Sequence, residues 1–403
     1  MSRNHDTSNT RRAWTPMLLP AVWFLLGAPA AGSPETDGDA GAKRTCKTDQ
    51  CVDCHRNLDG ELASPVRALQ EDVHWQNGLS CAVCHGGAPE EEDAAAAMNP
   101  ARGFVGRPKA AETPRLCGKC HSDPTFMRRY NPGQRVDQEA EYYTSAHGRR
   151  LREGDGRVAT CVSCHGRHGI RPVSHPQSHV YPTNVAGTCG TCHADSGYIG
   201  SRLPTDQLRG YEASVHARAL RQKNDLSAPT CNDCHGNHGA SPPGVSSVAN
   251  VCGACHSSGE SGYGAAEAMS QTLRSLVQGV EEAEELVGKA ERAGMEVSRA
   301  RLRLGEAHDA LINARVVVHT FSAEAVKKET QKGTAVALDA GRMGQQALDE
   351  FQFRRKGLFA SLLVIGLALA AIYLKIREVE RADKTDLPLP KLHGRSSLSQ
   401  EIE

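Results

Sequence analysis

From Ala265 onward, apolar residues recur every three to four positions. Met269, Leu273, Leu276, Val280, Ala283, Val287 and Ala290 form one stripe, and Val297, Ala300, Leu304, Ala307, Leu311, Ala314, Val318, Phe321 and Ala325 form another. This spacing predicts helices that pack along a shared seam. Gly294 and Gly333 are the expected breaks, and a third helix is expected from about Ala335. The pattern predicts a helical stalk over 263–356, built as a three-helix bundle or an antiparallel hairpin. Gly357–Leu374 is then an unbroken apolar run of eighteen residues between Arg354-Arg355-Lys356 and Lys375, long enough for one transmembrane helix. The polar tail 375–403 follows. Between 46 and 262 no period is sustained, and Gly, Pro and charged residues interrupt every short apolar run. This predicts irregular loops and short helices.

At the N-terminus, Arg11-Arg12, the apolar run Met17–Leu26 and Ala28-Pro29-Ala30 give the three parts of a secretory signal peptide over 1–31. The Gly-, Ala- and Asp-rich stretch 32–45 is an expected flexible linker. Composition sharpens the puzzle of the middle region. Formal net charge is zero, so nothing in the balance points to nucleic acid. Aromatic residues make up only 4% of the 403, too few for an ordinary core of this size.

Candidate chemistry fills that gap. Seven C-x-x-C-H motifs occur: Cys51-Cys54-His55, Cys81-Cys84-His85, Cys117-Cys120-His121, Cys161-Cys164-His165, Cys189-Cys192-His193, Cys231-Cys234-His235 and Cys252-Cys255-His256. Each is a c-type haem attachment pattern, with two thioether cysteines and an adjacent proximal histidine. They consume fourteen of fifteen cysteines, leaving Cys46. Zinc ribbons do not need a histidine directly after each pair, and a thiol redox centre needs one dithiol on a strand–helix scaffold. Seven covalent haem c groups are therefore the expected cofactors.

The motifs sit in a longer repeat. Tyr142-x-x-Ser145-x-His147-x-x-x-Leu151 precedes Cys161-x-x-Cys164-His165-Gly166-x-His168 and then Cys189-x-x-Cys192-His193. Tyr211-x-x-Ser214-x-His216-x-x-x-Leu220 precedes Cys231-x-x-Cys234-His235-Gly236-x-His238 and then Cys252-x-x-Cys255-His256. A degenerate copy holds His74, Cys81-x-x-Cys84-His85-Gly86-Gly87 and Cys117-x-x-Cys120-His121, so the organisation is one site plus three pairs. Seven histidines lie outside the motifs here: His74, His147, His168, His175, His179, His216 and His238. Seven for seven predicts two histidines on every iron. Met98 and Met127 are rival ligands in unrepeated settings. His308 and His319, on the stalk, are read chiefly as polar flank residues and secondarily as ligands for the last haems.

On these motifs residues 51–256 resemble the multihaem c-type cytochromes, the group that includes cytochrome c3-like proteins and respiratory multihaem cytochromes. The resemblance implies closely packed haems passing electrons edge to edge. The resulting expectation is a heptahaem domain over 46–262 on the periplasmic side of the cytoplasmic membrane. It would relay electrons between a membrane quinol-linked component and a periplasmic redox protein, with oligomerisation through the stalk as a further option. A reductase of a small nitrogen or sulfur oxyanion, with one open haem, is the alternative. A haem-based sensor is a third, weakened by the short tail.

Overall fold

The computed structural model describes residues 49–200 and 203–385. The expected signal peptide and linker, Cys46, and the tail beyond residue 385 lie outside them. The described residues all fall within one unit, 45–403.

Three long helices dominate the C-terminal half: α1 (Ser261–Arg292), α2 (Ser298–Val317) and α3 (Ala323–Thr385). The stripes meet as their periodicity requires. Met269, Leu273, Leu276 and Val280 of α1 pack with Ala307 and Ala314 of α2 and Val326 and Ala337 of α3. Val287, Ala290, Val297 and Ala300 close the far end against Met343, Ala347 and Leu348. Gly294, at φ +76°, ends α1 in the left-handed region, as its position between stripes suggested.

Gly333 behaves differently from expectation. It lies inside α3, which starts at Ala323 rather than near Ala335. A Cβ at Gly333 would stand 2.9 Å from Ala310 Cβ and 2.9 Å from Leu276 Cδ1. The glycine is a point of close helix approach, not a break. Gly333→Ala is therefore expected to destabilise the bundle by about 1–3 kcal/mol through overpacking, read as a lower urea midpoint at unchanged m-value.

α3 continues without interruption into the apolar run. An 18-residue window of it has mean hydropathy 2.4, and none of that window is buried. Leu358, Phe359, Leu362, Leu363 and Val364 all face outward. A soluble core helix of this composition would be covered. Eighteen residues rise about 27 Å, close to the roughly 30 Å of a bilayer core. α3 thus has the length and surface of a single membrane-spanning anchor.

The fold-class expectation of irregular loops is corrected here. The chain is predominantly helical, and the cysteine motifs themselves lie on helices: Gln50–Arg56, Cys81–His85, Thr113–His121, Cys161–His165, Pro182–His193 and Cys231–His235. The last motif begins at the end of Val248–Cys252. The reason is local. C-x-x-C places both thiols about one turn apart on one helix face, and short polar caps start these helices without any long apolar period.

Candidate functional site: opposed imidazole pairs

The repeated residues explain themselves locally. Ser145 begins helix Ala146–Arg152, and its Oγ accepts from Gly148 N–H at 2.8 Å. Ser214 begins Val215–Gln222 and accepts from Ala217 N–H at 3.2 Å. These caps set His147 and His216 in the first turn. Tyr142 donates its hydroxyl to Ala159 O at 2.9 Å, and Tyr211 donates to Pro229 O at 3.1 Å. Each tyrosine thereby ties the capped helix to the segment entering the next cysteine motif. There Thr160 N–H donates to Ser163 Oγ at 3.1 Å and Thr230 N–H to Asp233 Oδ2 at 2.7 Å, closing capping boxes. Gly166 (φ +90°) and Gly236 (φ +84°) then turn the chain toward the following histidine.

The outcome is a set of facing imidazoles. Ring centres are 6.1 Å apart for His74–His121, 6.0 Å for His85–His168 and 6.0 Å for His147–His193. They are 6.2 Å apart for His165–His238, 6.1 Å for His216–His256 and 5.9 Å for His235–His319. Every pair joins one motif histidine to one histidine from elsewhere. Aromatic rings in contact span about 4.5–7 Å, so one such distance means little. Six pairs between 5.9 and 6.2 Å, each containing one motif histidine, form a repeated construction.

Several of the ring nitrogens are held in one tautomer. Nδ1 of His55, His85, His235 and His319 lies 2.9, 2.8, 3.2 and 2.9 Å from the carbonyls of Leu62, Gly106, Ser241 and Val316. A carbonyl only accepts, so Nδ1 carries the proton and Nε2 keeps its lone pair. His74 Nδ1 lies 3.2 Å from Asp72 Oδ1. Burial lowers the pKa of His121, His147, His168, His193, His216, His235, His238 and His319, and takes His165 to about 4. Neutral imidazole is the ligating form.

Asp72 links two of these pairs. It is buried, accepts from Ile170 N–H at 3.0 Å and caps His74 N–H at 2.8 Å. Asp72→Ala is expected to cost about 1–3 kcal/mol by stranding these donors. It should disturb both the His74–His121 and His85–His168 pairs, visible as local loss of amide protection around residues 73–76 and 168–171.

The thiols follow the same order. Burial first, then Asp49, raises Cys51 to about 11, and Cys81 rises to about 12 by burial, Asp49 and Cys51. Burial raises Cys164 and Cys234 to about 11, with Cys189 and Cys252 respectively the next contributors. Cys117 is raised chiefly by its contact with Cys161, and Cys189 by its contact with Cys231. Successive motifs are therefore spatial neighbours in chain order. Within those two contacts the shifts run oppositely: Cys117 lowers Cys161, and Cys189 lowers Cys231.

Three corrections to the sequence reading follow. Among the described residues, no three or more His, Cys, Asp or Glu side chains gather where a metal ion could bind. Neither the expected relay through seven bis-histidine haems nor its alternative, a reductase with one open haem, is therefore borne out. Each place supplies two protein donors rather than a complete shell, and one motif histidine, His55, faces no second imidazole among the described residues. Nor is the chain assigned to the multihaem c-type cytochromes: no family model, no curated protein and no solved structure matches it.

The non-motif histidines sort unevenly. His74, His147, His168, His216 and His238 stand opposite motif imidazoles. His175 and His179 do not. His175 Nδ1 accepts from Gln177 N–H at 3.1 Å, and His179 lines a cavity of about 120 Å³ beside His165 and His168. His319 stands opposite His235 from the turn Val318–Thr320 between α2 and α3. His308 instead pairs with Glu284 at 2.9 Å across the bundle. The signal for His319 was its place near the end of the second stripe, where the stalk folds back.

Proposed function

We propose that the chain is a membrane-anchored electron carrier whose redox groups are vinyl-bearing iron porphyrins, held at six two-imidazole sites and one single-imidazole site. The observation that carries this is the repeated imidazole separation. Two imidazoles on opposite sides of one metal put their ring centres about 6.3 Å apart, given a metal–nitrogen distance of about 2.0 Å and ring bonds of about 1.33 Å. The six pairs lie at 5.9–6.2 Å.

A metal that arrives with four equatorial donors needs only two from the protein. The lack of three-donor clusters speaks to zinc-like sites, where the chain alone supplies the ligands. It does not bear on a macrocycle. Each motif histidine would be the first axial ligand, its facing histidine the second, and the two neighbouring cysteines the thioether anchors. Such groups supply reversible one-electron chemistry. The protein contributes ligand orientation, neutral imidazoles and the linear order of neighbouring motifs.

The array belongs outside the cytoplasm, where a secretory leader would deliver it, with the α3 anchor in the cytoplasmic membrane. A quinol-linked membrane component and a soluble redox protein are the partners this arrangement suits. The test is pigment retention. After maturation in a host that attaches porphyrins to C-x-x-C-H, the denatured chain should keep its colour through acidified acetone extraction. Colour that extracts, or an uncoloured chain, refutes the proposal.

A further inference from the structure

We infer that the His55 site is open on its second axial side and binds a small diatomic ligand, carbon monoxide when reduced or cyanide when oxidised. This rests on the porphyrin reading above.

The pairs obey a rule. The histidine before a two-motif module faces that module's second motif: His74 with His121, His147 with His193, His216 with His256. The histidine after the glycine reaches back to the first motif of the preceding module. His168 faces His85, and His238 faces His165. His235 has no later module, and His319 takes the role from the stalk.

Continued backward, the rule gives His55 to the residue two after Gly86. That residue is Ala88. The sole degenerate position in the Gly-x-His series therefore coincides with the sole motif histidine left without a facing ring among the described residues. The placement also fits. Ala88 is buried, and the adjoining Pro89 carbonyl accepts from Gln50 N–H at 2.9 Å, the first residue of the helix bearing His55. The segment that would bring the missing ligand is already docked.

The near side is nonetheless built like the others. His55 Nδ1 is held by Leu62 O at 2.9 Å, which leaves Nε2 for a metal. Cys54, Leu58 and Leu62 around it are exposed, so small molecules can reach it from solvent. An iron with one protein imidazole and an accessible far face takes a π-acceptor diatomic ligand when ferrous, forming one iron–carbon bond with no electron transferred. Two-imidazole irons resist this because a ligand must first be displaced.

The experiment titrates carbon monoxide into the dithionite-reduced full-length protein, followed by difference absorbance and by intact mass. Seven porphyrins and one carbon monoxide per chain are expected. Ala88→His should lower uptake at least tenfold, and His319→Ala should raise it to two per chain, which serves as a control if Ala88→His does not fold. Full porphyrin loading with no uptake overturns this inference alone. Uptake undiminished in a folded Ala88→His overturns it as well. A bare-protein mass overturns the parent reading with it.

Discussion

His319→Ala is expected to convert one two-imidazole site into a single-imidazole site and leave the other five intact. His319 sits in the Val318–Thr320 turn, with Nδ1 held by Val316 O at 2.9 Å and its ring 5.9 Å from His235 at an interplanar angle of 6°. In the oxidised protein, one further high-spin signal per chain should appear in electron paramagnetic resonance. His319→Met should instead keep the site low-spin but raise its potential, since thioether ligation favours the reduced metal. A spectrum unchanged from the parent would mean that His319 does not face a metal. His308→Ala is the control: it removes the contact of Nε2 with Glu284, at 2.9 Å, and should leave every spectrum as it was.

The second large effect concerns the anchor. A chain ending at Lys356 is expected to move from the membrane pellet to the soluble fraction. The apolar cluster at the far end of the bundle takes in Met343, Ala347 and Leu348, all ahead of the cut. Placing arginine at Leu363 and Leu367 in the full chain should act similarly, at about 2.5–3.5 kcal/mol of insertion free energy per residue near the bilayer centre. Both variants should keep the spectra of the parent. Persistent membrane association of the truncated chain would locate a further membrane contact elsewhere.

The bundle was legible because its information is periodic. Every residue of the Met269 to Ala290 stripe is buried, and the Val297 to Ala314 stripe is buried except for Leu304 and Leu311, which are half-buried against the core. Gly333 was misread because a glycine in a helical pattern has two causes, a break or a close approach, and only the neighbouring Ala310 and Leu276 separate them. Short helices were expected in the cysteine region, but that the motifs themselves lie on them was not legible, for the reverse reason. They are five to twelve residues long and begin at polar caps such as Thr160 and Thr230, so no apolar period marks them.

For the site, the repeat made His147, His168, His216 and His238 visible, while counting histidines favoured His175 and His179. Counting fails where a facing ring can come from outside the region counted. His319 lies 84 residues beyond His235 in sequence, and only the fold-back of α3 onto α2 and α1 brings it across. The pairing rule itself also needed the structure. Sequence showed that Gly86-Gly87-Ala88 lacks a histidine, but not which site that histidine would have served.

The central claim is that the motif cysteines anchor porphyrins between facing imidazoles. Intact mass spectrometry of the denatured, reduced full-length protein, matured in a competent host, tests it most directly. The account requires the mature polypeptide plus seven iron porphyrins. A mass equal to the bare polypeptide, with every thiol free to alkylate, would contradict it.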